Sequence, residues 1–73
     1  MAVAERQYAH IALNEHGEPT IKGSRITVKQ IAAEQVYWDW DAKKIHEEHP
    51  HLTLGQIYSA LAYYADHEEE IKG

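Results

Sequence analysis

The apolar positions of the chain change rhythm partway along. Tyr8-Ala-His-Ile-Ala-Leu13 sets β-formers at Tyr8, Ile11 and Leu13 among small and polar residues, as a short strand does. Asn14-Glu-His-Gly17-Glu-Pro19 interrupts it with turn residues, and Thr20-Ile-Lys22 can return as the second strand of a hairpin. Gly23-Ser24 breaks that strand, and Arg25-Ile-Thr27 is a short extended lead. From there the spacing turns helical. Val28, Ile31, Ala32 and Val36 fall on one face and predict a first helix over 28–37. Thr27 and Gln30 form a capping-box pattern at its start. Trp38-Asp-Trp40 is a connector. Asp41 is a good N-cap for a second helix over 42–49, its carboxylate suiting the positive helix end, and Pro50 stops that helix. Trp40 and Ile45 flank the cap at the spacing of a hydrophobic staple.

Thr53 with Gln56 repeats the capping box and opens a third helix. Leu54, Ile57, Tyr58, Leu61 and Ala65 read as its core stripe, with Gln56, Ser59, Tyr63 and Asp66 on the opposite face. The end, Glu68 to Gly73, reads as a polar tail that frays. The fold class expected is mainly α: an N-terminal β-hairpin followed by three helices. The second and third of these, with the turn His49-Pro-His-Leu52, have a helix-turn-helix shape. The organisation expected is a flexible N-terminus at 1–7, a single hairpin plus three-helix domain at 8–68, and a polar tail at 69–73.

Seventy-three residues bury only a modest share of their surface, so the stability margin is thin. With no cysteine, neither a disulfide nor a thiolate metal site can add to it. Association of two copies would, and a homodimer is expected. The opening Met1-Ala-Val-Ala-Glu-Arg-Gln lacks an apolar leader core, and no run approaches a membrane span. These features, with the missing cysteines, lead to a cytoplasmic protein without membrane contact. The formal net charge of −5 opposes strong non-specific nucleic-acid binding and leaves room only for a local basic patch.

Catalysis finds little support. There is no Gly-rich phosphate loop, no nucleophile elbow and no cysteine nucleophile, and Glu47-Glu48 reads as surface charge. The chain is read as a non-enzyme without cofactor. His46, His49 and His51 invite a metal, but His46-Glu-Glu-His49 lacks the His-Glu-x-x-His spacing of zinc proteases, and a structural zinc wants four ligands. No physiological metal is expected.

Binding residues are easier to nominate. Arg25 can clamp a phosphate or fork onto a carboxylate across a dimer; tying hairpin to helix through a local carboxylate is the preferred reading. If the third helix meets DNA, Gln56 and Ser59 would face the bases, Gly55 would permit close approach, and Gln56 can read adenine. That helix has no Lys or Arg, so phosphate contacts would fall to Lys22, Arg25, Lys29, Lys43 and Lys44, of which Lys43 and Lys44 are best placed. For any one of these a plain solvated face is the commoner condition. Among the aromatics, Trp38, Trp40 and Tyr63 are interface candidates, while Ile57, Tyr58 and Leu61 are assigned to the core.

Two stretches, Gly17-Glu-Pro-Thr-Ile-Lys-Gly-Ser-Arg-Ile-Thr-Val28 and Ile45-His-Glu-Glu-His-Pro-His-Leu-Thr-Leu-Gly-Gln-Ile-Tyr-Ser-Ala-Leu-Ala-Tyr63, together carry a resemblance. Over residues 8–68 the chain resembles the domain-of-unknown-function 433 family. That family's pattern is a Gly-x-Pro-x-Ile-x-Gly-Thr-Arg-Ile-Thr-Val start, a helix ending in Tyr-Pro, then Leu-Thr and an Ala-Leu-x-Tyr helix. Gly23, Ser24, Arg25, Thr27, Pro50 and Thr53 are the motif positions. Ser24 replaces the usual Thr, Asp39 stands where Gly often closes the first helix, and His49 stands where Tyr usually precedes Pro50. Trp38 and Trp40 are bulkier than is usual, and Gly55 falls in the first turn of the third helix, where it weakens helix formation. The resemblance implies a homeodomain-like fold with an N-terminal hairpin. It further implies a bacterial antitoxin similar to VapB-type antitoxins: a dimer that binds operator DNA and blocks a PIN-like ribonuclease toxin. The alternative is a self-associating structural or interaction module without DNA binding.

Overall fold

Asn14 organises the hairpin turn. Its side-chain oxygen accepts from the backbone N–H of His16 and of Glu18, each at 2.9 Å, and Gly17 takes the positive φ of 78° that the turn needs. A computed structural model describes residues 8–72. In it β1 (Ile11–Leu13) pairs antiparallel with β2 (Pro19–Ile21), Ile11 opposite Ile21. The first strand is shorter than its composition suggests. Residues 8–10 form a turn closed by Ile11 N–H donating to the Tyr8 carbonyl at 2.9 Å.

Ser24 then redirects the chain. Its hydroxyl donates to the Ile21 carbonyl at 3.0 Å and accepts from Ile26 N–H at 3.1 Å, beside Gly23 at φ 80°. Ile21 N–H reaches the Ile26 carbonyl, and Thr27 bridges back to Thr20. Thr27 is thereby held at the start of α1 (Val28–Trp38), where its hydroxyl accepts from Gln30 N–H. Asp39 closes α1 in the left-handed region, at φ 57° and ψ 35°, with its N–H on the Glu34 carbonyl. Aspartate tolerates this conformation better than most side chains. The turn therefore closes without a glycine.

Asp41 caps α2 (Ala42–Glu48), accepting from Lys44 N–H at 2.8 Å. A turn over His49–Leu52 leads to Thr53, which caps α3 (Leu54–Asp66) with a complete box. Gln56 N–H donates to the Thr53 hydroxyl at 3.1 Å, and the Gln56 side-chain oxygen accepts from Thr53 N–H at 2.7 Å. The core gathers where hairpin and helices meet, around Ile21, Val28, Ile31, Ile45, Ile57 and Ala60, with Leu52 and Tyr64 at its margins. No helix among the described residues is long and apolar enough to cross a membrane.

The structure corrects three details of the sequence reading. Residues 68–72 form a further short helix, α4 (Glu68–Lys72), instead of a frayed tail, and Ile71 is 8 % exposed. His67 breaks α3 at φ −134° and holds the Tyr63 carbonyl through Nδ1 at 3.0 Å, so the chain bends back and sets Ile71 into the core. On α3 the buried positions are Ile57, Ala60 and Tyr64, with Leu61 and Tyr63 packed beside them, whereas Leu54, Tyr58 and Ala65 are exposed. On α1, Val36 is also exposed, because α3 and α4 cover only the side holding Val28, Ile31 and Ala32. The N-terminal segment 1–7 and Gly73 lie outside the described residues.

Candidate functional site

The phase of α3 is set by its neighbours α1 and α2, and it creates an outward face that no other element among the described residues covers. Leu54, Tyr58, Ala62 and Ala65 recur along it at helical spacing, all exposed, with Tyr58 at 56 %. Gly55 and Asp66 flank the stripe. No Lys or Arg occurs in Leu54–Asp66, and Glu68, Glu69 and Glu70 follow directly. A helix apolar on two sides buries one against its own fold and leaves the other available to a partner. Sequence reasoning assigned Leu54 and Tyr58 to the core. The signal that distinguishes the faces is the width of the apolar pattern, since α3 carries more apolar side chains than one buried stripe can hold.

The nominated DNA-reading residues are not brought together on one basic surface. Gln56 has its side-chain oxygen committed to the capping box, and reading adenine with both ends of the amide would break that cap. Ser59 is half-buried on α3. Lys44 lies 3.1 Å from Glu48 and 5.5 Å from the Trp40 ring centroid, so its charge is partly matched locally, whereas Lys43 is exposed. Arg25 is exposed on the loop before α1 and has no ion-pair partner among the described residues. The tie between hairpin and helix is made by the Ser24 hydroxyl, not by an Arg25 carboxylate pair. Lys29 is exposed on α1, away from α3's outward face.

The interface candidates separate. Trp38 is exposed, Trp40 packs against the core, and Tyr63 is half-buried in an aromatic clasp. In that clasp Tyr63 stacks on His67 at 4.2 Å between centroids and meets Tyr8 edge-on at 4.9 Å. The Tyr8 hydroxyl donates to Asp66, fastening the chain before β1 to the end of α3. Pro50 is exposed in the turn before α3. His49 is taken up by Glu34, its Nε2 standing 2.9 and 3.0 Å from the two carboxylate oxygens. No group of His, Cys, Asp and Glu able to hold a metal occurs among the described residues.

The hydrogen bond to Asp66, then burial and the Asp66 charge, push the Tyr8 phenol up from 10.0 to about 12. Burial, followed by the nearby Glu70, raises Tyr63 as well. A folded-state value above the unfolded one means that the clasp's contribution is complete below pH 10 and is lost as pH rises toward 12. A tyrosinate absorbance titration should therefore show a late step that Tyr8→Phe removes. Urea melts of the native chain should weaken across the same window, and those of the variant should weaken less.

The description "Protein of unknown function (DUF433)" belongs to the family model that matches residues 15–64, from the hairpin turn to near the end of α3. No curated protein and no solved structure matches the chain.

Proposed function

The chain belongs to the domain-of-unknown-function 433 family, and we propose that it is an antitoxin-like protein that neutralises a PIN-like ribonuclease by direct contact. The exposed, cation-free outward face of α3 carries this reading. In a helix-turn-helix arrangement this face would enter a DNA groove, where phosphates demand cations and base edges demand polar groups. Here it offers Leu54, Tyr58 and two alanines, which suit a protein surface. Asp66 and Glu68–Glu70 continue it with negative charge, complementary to the basic channel a ribonuclease needs for its substrate. The mechanism is occlusion of that channel in the cytoplasm. Any operator contact would run through Arg25 and Lys43 and would be weak and steeply salt-dependent.

The test is an RNA-cleavage assay with the PIN-like ribonuclease recovered from the source cell by pull-down and mass spectrometry. Leu54→Glu/Tyr58→Glu, with an unchanged circular dichroism spectrum, should weaken binding by about 100-fold or more, the loss expected when anchors are replaced by charge. Lys43→Glu/Lys44→Glu should leave neutralisation intact and remove only a salt-sensitive DNA shift. An α3 variant that still neutralises like the unaltered chain would sink the reading.

A further inference from the structure

The outer side of α1 carries a second uncovered apolar surface, separate from that of α3. Lys29, Ala33, Val36 and Tyr37 recur along it at helical spacing. With Ala32, Tyr64 of α3 and Ile71 of α4 they line an open groove of about 90 Å³. Tyr37 is 82 % exposed and Trp38 beside it 66 %. Large aromatics left in water next to a groove mark a contact surface.

We propose that a second copy of this chain fills the groove, the two α1 helices lying antiparallel across a two-fold axis at Ala33. Register favours a copy. Lys29 and Tyr37 lie one turn to either side of Ala33. Antiparallel pairing therefore sets Lys29 against the partner's Tyr37, and the symmetry repeats the contact. Charge favours it too. Lys29 has no ion-pair partner among the described residues, and an ammonium over a phenol face is attracted by the ring. Antiparallel packing also opposes the positive end of one helix to the negative end of the other. Ala33 at the crossing lets the backbones approach.

The groove supplies part of the area such an interface needs. A standard interface takes about 800 Å² from each partner, roughly one-sixth of the 5166 Å² this chain exposes. Tyr37, an aromatic side chain of about 150–250 Å², leaves most of its surface in water, and Val36 and the Lys29 stem add to it. The inference goes beyond the ribonuclease reading, because it uses a different helix face and needs no ribonuclease.

The absence of cysteine makes the test direct. Helix axes about 9–10 Å apart, each with Cα atoms about 2.3 Å off its axis, bring the paired Ala33 Cα atoms to about 4.4–5.4 Å, within disulfide reach. Full-length Ala33→Cys should give a covalent dimer as its main product on mild oxidation. A mixture of Lys29→Cys and Tyr37→Cys chains should cross-link to each other, and Lys43→Cys, exposed on α2, should not cross-link. By sedimentation equilibrium the unaltered chain should be a dimer at micromolar concentration. Tyr37→Ala, with unchanged circular dichroism, should raise its dissociation constant about 30-fold. A chain monomeric through this range, or a dimer in which Ala33→Cys resists cross-linking, would overturn the proposal. So would a monomer whose Tyr37 is shielded only when the ribonuclease is added, since the groove would then belong to that partner. Leu54→Glu/Tyr58→Glu should remain dimeric, which keeps the two surfaces separately testable.

Discussion

His49→Ala should lower the unfolding free energy by about 2–3 kcal/mol. His49 and Glu34 are 13 % and 15 % exposed, and the imidazole Nε2–H is the carboxylate's only side-chain donor among the described residues. Removing the ring leaves a nearly buried carboxylate without that donor, which costs more than the bond contributes. The pair also occupies a junction. The Glu34 carbonyl accepts from the N–H groups of Asp39 and Trp40, closing α1, while its side chain holds the residue that caps α2. A single core in a chain this short rarely supplies more than about 3–5 kcal/mol, so the loss takes most of the margin. Glu34→Leu/His49→Leu should recover much of it, because two apolar groups leave neither partner orphaned. Urea melts of Glu34→Leu, His49→Leu and the double variant check this. A coupling energy near zero would mean that the pair contributes nothing specific.

Ile71→Asp should destabilise by about 2 kcal/mol, moving the urea midpoint down by about 2 M at the slope usual for a small domain. Ile71 is buried against α1 and α3, and an aspartate there cannot keep its hydration without undocking α4. Undocking also caps the loss, since the rest of the core can survive it. Glu69→Ala on the exposed side of the same short helix should move the midpoint little, as solvated surface substitutions do. A truly frayed tail would make the two substitutions equivalent. Because Ile71 and Tyr64 wall the α1 groove, Ile71→Asp should weaken self-association as well.

Much of this architecture was legible in the amino-acid sequence. Thr27, Asp41 and Thr53 cap α1, α2 and α3, the hairpin turns over Asn14–Glu18, and the Ser24 hydroxyl redirects the chain after β2. Each rests on hydrogen bonds between residues a few positions apart, so the local sequence suffices to specify it. The family motif was legible for the same reason, being built largely from those caps and turns. Gln56 shows the boundary. Its spacing from Thr53 announced a cap, and its place on the third helix suggested a base reader. The capping bond occupies the oxygen that base reading would need.

Tertiary structure alone decided which side of α3 faces inward. The apolar pattern of α3 is wide enough to be phased in more than one way. Packing on α1 and α2 buried Ile57, Ala60 and Tyr64 and turned Leu54 and Tyr58 outward, converting supposed core residues into the candidate binding surface. A lone isoleucine among glutamates carries no periodicity, so Ile71 announces burial only once the bend at His67 brings it over α1. The face left to solvent, and with it the binding surface, follows from where neighbouring elements land, and that placement depends on contacts between residues far apart in the chain.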